Sequence, residues 1–321
     1  MTAASGTVLV TGADGFIGTA LCRQLTEAGY PLLTLTRSRA LQAGSAANAN
    51  AFGTPDFNGD IRDRTLLERA LSGVRVVFHL AGVAHVDGSS EQQLQAVNVE
   101  GTAAVAAAAL AAGVERLVYF SSSLAVAAEQ DAPTQTAYGR SKFEAEQRLL
   151  EIARNSSLKV TILRPVNVYG PGMKGNLAAM VRLIGRGRMP PLPRLDTRLS
   201  LVGLEDLCRA ALLAADDRAD FATYLVTDGL TYALNEIEAA IYRALGKPAP
   251  RWRSPRVLFY LAAAAAGLLN RVGLSRTSLG VRTYRNLVTE NLHSNQPICD
   301  ALGFTPHQSF YTALPELLDV K

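Results

Sequence analysis

The sequence predicts an α/β fold, a doubly wound parallel sheet followed by a smaller α/β part. Three observations carry that expectation. Short apolar runs of strand length alternate with longer alanine-rich helical stretches through the first half of the chain. The first of these runs, Thr7–Thr11, leads directly into glycines at 12, 15 and 18 and then into an apolar helix. The alternation stops at Pro165, after which Gly170-Pro171-Gly172, Gly185 to Arg188, Pro190-Pro191 and Pro193 mark loops.

Taken in order, the strand candidates are Thr7–Thr11, Leu32–Thr36, Val74–Ala81, Arg116–Ser121 and Lys159–Leu163, all rich in Val, Leu, Ile, Phe or Tyr. Helical stretches between them imply crossovers that cover both faces of a parallel sheet. The first helix is expected over Phe16–Leu25. Another, Asn98–Ala112, is nearly all small or apolar, so it is expected to be buried on most sides and to end at Gly113. A third follows Tyr138, where Phe143-Glu-Ala-Glu-Gln-Arg-Leu-Leu reads as helix. Ala40–Gly53 is a small-residue stretch expected to be a mobile loop. In the second half, Tyr224–Thr227 is a strand candidate that returns the chain to the sheet before it finishes in helices.

The chain has 321 residues, 48% of them hydrophobic and 19% charged, which is the composition of a folded protein with a sizeable core. Its net charge of +4 comes from dispersed Lys and Arg with no basic run interleaved with aromatics, so anionic small molecules are expected as partners and nucleic acid is not. Cys22, Cys208 and Cys299 have neither metal-ligand nor disulfide-like spacing, which suits free thiols, no metal and a cytoplasmic setting. The first apolar run, Thr7 to Val10, reads as a short strand, so no leader is expected and the protein is expected to stay inside the cell. Only Val257–Leu269 approaches a membrane segment, and its length falls short of the ~20 residues a spanning helix needs. It is expected to be a buried or surface-docking helix, not a transmembrane one.

In Val8-Leu-Val-Thr-Gly12-Ala-Asp-Gly15-Phe16-Ile17-Gly18 the glycines are spaced as a dinucleotide pyrophosphate requires. Gly12 permits a tight turn, Gly15 lets backbone approach the phosphates, and Gly18 lets helix and strand pack closely. The end of the second strand selects the cofactor, because an acid there accepts from a ribose 2′-hydroxyl and a base accommodates a 2′-phosphate. Thr36-Arg37-Ser38-Arg39 offers no acid and two guanidiniums, so NADP(H) is preferred, with NAD(H) the alternative. Asp60-Ile61, after Gly59, is placed to meet adenine with a carboxylate and an apolar side chain.

Tyr138 and Lys142 stand four residues apart, on one face of a helix. An ammonium beside a phenol favours phenolate and would lower the tyrosine pKa from its usual ~10, allowing proton exchange near neutral pH. Ser123, at the end of the Arg116–Ser121 strand, can hydrogen-bond the same substrate oxygen, with Ser121 and Ser122 adjacent.

With these residues in place, the chain resembles an extended short-chain dehydrogenase/reductase of the sugar-nucleotide epimerase/dehydratase/reductase group, a Rossmann-type family. The resemblance covers nearly the whole chain. Besides the glycine motif and Tyr138/Lys142, it includes His79-Leu80-Ala81-Gly82, Asn98-Val-Glu-Gly-Thr102, Phe120-Ser-Ser-Ser123 and Arg164-Pro165-Val-Asn167-Val-Tyr-Gly-Pro-Gly172.

The resemblance implies that Tyr138 is the acid/base, that Lys142 binds nicotinamide ribose and tunes the tyrosine, and that Ser123 polarises the reacting oxygen. It places Phe16, Ile17, Leu80, Ala81, Gly82, Asn98 and Pro165 around the cofactor. His85, Asn167, Asn176, Leu177 and Arg198 are implied to meet a UDP-sugar, Arg198 through a phosphate. The dinucleotide-binding part is then expected over residues 1–167, its sheet completed within about 199–230. Residues 168–198 and 231–321 are expected to bind substrate, and the family habit is a homodimer through a helix bundle.

A 4,6-dehydratase of this group carries an Asp-Glu pair after the serine or threonine. Leu124 and Ala125 stand there instead, which argues against dehydration. A 4-epimerase holds NAD and has an acid after the second strand, whereas Arg37 fits a reductase that consumes NADPH. The short Ser123-to-Tyr138 interval and the apolar 257–269 segment resemble a bacterial subgroup serving O-antigen or other surface-polysaccharide synthesis. Reduction at C4 of a UDP-4-keto-6-deoxy-N-acetylhexosamine therefore ranks slightly ahead of UDP-glucose or UDP-N-acetylglucosamine 4-epimerisation. A non-catalytic NADP-binding sensor ranks third, since such relatives often lack the tyrosine or lysine.

Overall fold

The computed structural model describes residues 6–37, 56–83, 90–216, 221–271 and 289–319. The expected loop Ala40–Gly53, Ser38-Arg39 and His85 lie outside the described residues. The chain divides into two compact units.

The first unit, 1–166 with 204–226 and 294–305, is built on a seven-stranded sheet. Its strands are β1 (Thr7–Thr11), β2 (Leu32–Thr36), β3 (Asp56–Asn58), β4 (Val74–His79), β5 (Arg116–Phe120), β6 (Lys159–Pro165) and, after two further strands described below, β9 (Ala222–Val226). Every neighbouring pair is parallel, in the order β3-β2-β1-β4-β5-β6-β9. The order reverses direction between β1 and β4, and the carboxyl ends of those strands form the crevice in which such sheets bind ligands. β3 escapes sequence reading because Asp-Phe-Asn contains a single apolar residue.

The helices of this unit are α1 (Phe16–Glu27), α2 (Arg64–Ala70), α3 (Glu91–Ala111), α4 (Ala125–Glu129) and α5 (Ala137–Ala153), with α7 (Leu204–Ala214) and α10 (Gln296–Leu302) added later in the chain. α3 begins a full turn and more before the expected Asn98, capped by Ser90, whose hydroxyl accepts from the Gln93 amide. A π turn at Gln95–Glu100 interrupts it. By length and composition α3 would suffice to cross a membrane. Its small residues instead bring it close to its neighbours: Val105, Ala106 and Ala109 are fully buried in a core shared with Leu9, Val77, Leu117, Leu149 and Ile162. Each buried Val, Leu or Ile side chain in this core contributes roughly 1.5–3 kcal/mol of transfer free energy, and the alanines less.

The second unit, 167–203 with 227–293 and 306–321, holds a three-stranded sheet. Here β7 (Asn167–Tyr169) runs parallel to β8 (Arg198–Gly203), and β10 (Thr231–Ala233) pairs antiparallel to β8. The segment 199–203, expected to help complete the large sheet, belongs to this small one. Helices α6 (Asn176–Gly185), α8 (Leu234–Ala244), α9 (Arg256–Arg271) and α11 (Phe310–Asp319) accompany it. Its core centres on Tyr169, Tyr232 and Phe310, packed edge to face. The Asp228 carboxylate accepts hydrogen bonds from both hydroxyls, from Tyr169 at 3.1 Å and Tyr232 at 2.5 Å.

Candidate active site

The glycine turn lies where β1 meets α1. Gly12 has a φ of +71°, and a Cβ on it would stand 2.8 Å from the Ala81 amide nitrogen. A Cβ on Gly18 would stand 2.2 Å from the Gly12 carbonyl oxygen. Both positions therefore require glycine, Gly12 for conformation and Gly18 for contact. Gly15 is the N-cap of α1, with no side-chain cap and no acid in the first turn. The opening amides of α1 are thus left for an anion, unlike those of α2 and α5, which Asp63 and Thr136 cap. Phe16 and Ile17 are the first residues of that helix.

Across the crevice, β4 ends at His79, and Leu80 and Ala81 are tied to β1: the Leu80 amide donates to the Thr11 carbonyl at 3.2 Å, and the Ala81 amide to Thr11 Oγ1 at 3.2 Å. A side chain at Gly82 would reach within 3.8 Å of Lys142 Nζ, which puts the lysine beside this loop. Asn98, on the π turn, is buried and wholly engaged. Its Oδ1 accepts from the Val83 amide at 2.7 Å, and its Nδ2 donates to the Val83 carbonyl at 3.1 Å and to Ser141 Oγ at 3.0 Å. Its geometry is that of a clamp holding the cofactor loop.

At the other end of the cleft, Arg37 is exposed directly after β2. Asp60 is not directed at an open site: its carboxylate accepts from Arg62 Nε at 2.9 Å and Nη2 at 2.7 Å. Those bonds, with a smaller contribution from Arg37, hold the Asp60 carboxyl below the usual range despite partial burial. Two guanidiniums therefore stand near one carboxylate, and Arg62 went unnoticed in the sequence. Ile61 differs from expectation too, because its side chain is buried in the core, where a Cβ on Gly101 would meet it at 2.7 Å.

The catalytic candidates come from β5 and α5. Thr136 caps α5, its hydroxyl accepting from the Gly139 amide at 3.0 Å, so the helix starts at Ala137 and Tyr138 and Lys142 lie one turn apart within it. Ser123 is buried just past β5. Its amide donates to the Pro165 carbonyl at 2.9 Å, which fixes the serine against the end of β6. The adjacent serines are otherwise employed: Ser121 donates to Glu146, and Ser122 Oγ accepts from the Leu124 amide at 3.2 Å. Buried Arg164 pairs with Glu146 and, at 2.6 Å, with Glu129, bracing α4 and α5 on β6.

Lys142 is buried, and its Nζ donates to Tyr119 Oη at 3.1 Å and to the Phe120 carbonyl at 2.7 Å. Burial pushes its pKa down to about 8, while the Glu146 charge acts the other way. Tyr138 departs from the sequence expectation. Its dense surroundings push the phenol up to about 12, although part of the residue remains open to solvent, and the ammonium meant to lower it is held by Tyr119 and Phe120. Burial thus acts against the phenolate that the sequence reading expects.

Behind Lys142 lies a buried chain that sequence reading did not resolve. His79 Nδ1 is 2.7 Å from Thr11 Oγ1, its Nε2 is 3.0 Å from Thr102 Oγ1, and its ring stacks on Tyr119 with centroids 5.6 Å apart. Burial, with the Lys142 charge, drives the His79 pKa down to about 3, so the ring is neutral. The signal was present in the His79-Leu-Ala-Gly motif, but its partners are 23 and 68 residues away.

The remaining expected residues belong to the second unit. Asn167 is exposed on β7, Asn176 is exposed at the start of α6, and Arg198 is exposed at the start of β8. Leu177 differs, since its side chain is buried in that unit's core.

A parallel sheet with an uncapped glycine turn at its reversal point, Lys142 beside the Gly82 loop, and Ser123 and Tyr138 supplied by the end of β5 and the start of α5, is the pattern of an extended short-chain dehydrogenase/reductase. The NAD dependent epimerase/dehydratase family model matches residues 8–226, and the chain belongs to that family. It is 32% identical over 265 residues to a UDP-glucose 4-epimerase of Vibrio cholerae, covering 77% of this chain and 78% of the relative. It is 30% identical over 260 residues to a 2-alkyl-3-oxoalkanoate reductase of Stenotrophomonas maltophilia, covering 75% and 76%. Among solved structures it is similar to MoeE5 in complex with UDP-glucose and NAD, with a TM-score of 0.75, 25% identity and 98% of both chains covered.

The residues present fit a nicotinamide dinucleotide: bare amides for the diphosphate, the Leu80–Gly82 loop and Lys142 for the nicotinamide end, Arg37 and Arg62 for the adenosine end. Such a cofactor supplies a hydride acceptor or donor when bound. With a substrate bound, Ser123 would be the group to orient its oxygen and Tyr138 the group to exchange its proton, with Lys142 nearby.

Proposed function

We propose that this enzyme acts at C4 of a UDP-sugar, reducing a UDP-4-keto-6-deoxy-N-acetylhexosamine with NADPH in bacterial surface-polysaccharide synthesis. The observation that carries the reading is the pair of guanidiniums, Arg37 and Arg62, near Asp60 at the ends of β2 and β3, which suits a 2′-phosphate. Leu124 and Ala125 offer no acid/base pair for water loss. Asn167, Asn176, the main chain at Leu177, and Arg198 are proposed to contact the sugar nucleotide. The enzyme is proposed to work in the cytoplasm as a homodimer.

A second reading, UDP-hexose 4-epimerisation, is favoured by the likeness to the Vibrio cholerae epimerase. The two separate on one experiment. Purified protein is incubated with UDP-N-acetylglucosamine and, separately, with its 4-keto-6-deoxy derivative plus NADPH. Stoichiometric NADPH consumption with the keto sugar supports reduction. Isomer formation without net cofactor change overturns it in favour of the epimerase. Cofactor binding with neither reaction would point to the sensor.

A further inference from the structure

The start of α9 exposes a cluster of large apolar side chains. Phe259 is buried in the core of the second unit, anchoring the helix. On the opposite side Val257, Leu258 and Leu261 are 69%, 60% and 55% exposed, within an arc of about 100° at 3.6 residues per turn. Tyr260 is 43% exposed beside them, and Trp252 in the preceding loop is 61% exposed. A contiguous apolar face of this kind marks a surface that binds something.

The charge around it states what. Among the described residues, 239–261 contain five Lys and Arg and not one Asp or Glu. Arg251, Arg253 and Arg256 flank the cluster directly, and the carboxylates that reach them come from elsewhere in the unit: Glu238 pairs with Arg253, and Asp196 lies 3.7 Å from Arg256. A second copy of the chain would present the same cations to this face, so self-pairing meets like charge. An anionic lipid surface matches both properties. Aliphatic side chains enter the acyl boundary, Trp and Tyr suit the headgroup level, and arginines meet lipid phosphates.

We propose that the Trp252–Leu261 face is a docking surface for an anionic membrane, on which the enzyme lies without spanning it. The proposal stands independently of which substrate reacts.

Trp252 is the only tryptophan in the chain, so intrinsic fluorescence reports from within the proposed face. The 321-residue protein is mixed with vesicles of phosphatidylglycerol and phosphatidylcholine, and with phosphatidylcholine alone. A blue shift of Trp252 emission with co-sedimentation on the anionic vesicles is expected, weakening as salt rises. Val257→Glu/Leu261→Glu is expected to abolish both signals, and Arg251→Gln/Arg256→Gln to reduce partitioning about fivefold per arginine. These positions are exposed, so unchanged thermal unfolding serves as the control. Quenching of wild-type Trp252 by bromolipid gives a test that needs no variant.

Equal binding to neutral vesicles, no binding at low salt, or unimpaired binding of the glutamate variant overturns the proposal. A blue shift that grows with protein concentration without vesicles overturns it in favour of a second copy.

Discussion

The ammonium of Lys142 is held by Tyr119, whose hydroxyl lies 3.1 Å from Nζ and whose ring centroid lies 4.6 Å away. Tyr119 itself stays a neutral phenol, because burial raises its pKa well above the ordinary value. The lysine therefore faces β5 in this arrangement, on a support of Tyr119, Thr102, His79 and Thr11 that also holds the Ala81 amide. Cofactor loop and catalytic lysine share one buried scaffold.

Tyr119→Phe removes an acceptor that favours charged Lys142, so the lysine pKa, already near 8, should fall further. The alkaline limb of the kcat/KM profile is expected to move to lower pH by about half to one unit, the equivalent of one hydrogen bond. A pH–rate series on both proteins reads this. An unmoved limb would mean that Lys142 does not titrate in the active range.

Tyr138→Phe takes away the proton donor while keeping the ring. Turnover is expected to drop about 10²–10⁴-fold with NAD(P)H affinity within a few-fold of wild type. Steady-state rates and cofactor fluorescence titration together check it. Loss of cofactor binding would reassign the residue to cofactor holding.

The pH dependence of stability follows from His79, whose folded pKa of about 3 lies below the ordinary 6.5. Between those values the unfolded chain binds the extra proton, so stability rises with pH across this window and is lost as pH falls through it. The slope attributable to one group is about 1.4 kcal/mol per pH unit. Urea unfolding at pH 7 and pH 5 should show it, and His79→Gln should flatten it. An equally steep slope in the variant would assign the acid sensitivity to other groups.

Arg37→Ala should weaken NADPH more than NADH, by roughly tenfold or more if the guanidinium meets a 2′-phosphate through a charge-assisted bond. KM values for both cofactors decide it. Equal changes would make Arg37 a solvated surface charge and remove the main support for reduction over epimerisation.

The parallel strands and glycine turn were legible because their signals are local. The runs at 7–11, 32–36 and 116–120 are contiguous apolar segments, and Gly12, Gly15 and Gly18 lie within seven residues. β3 was not legible, having three residues and no pattern, and residues 199–203, expected within the stretch that completes the large sheet, lie in the small one, because a short strand carries no mark of its partner. Tyr138 and Lys142 could be paired by helical spacing. That Lys142 turns to Tyr119 could not be read, since the contact spans 23 residues and depends on the packing of α5 on β5.

One short loop limits what this scaffold can become. Leu124 is 37% exposed, but Ala125 is fully buried, and the Leu124 carbonyl lies 2.3 Å from where a Cβ on Gly139 would stand. An acid written at 124 would face solvent, whereas one written at 125 would enter packed core, and the loop cannot slide because the catalytic helix presses on it. Grafting water elimination onto this chain would thus demand a rebuilt helix contact as well as two new carboxylates. Its chemistry is restricted by packing as firmly as by the identity of its side chains.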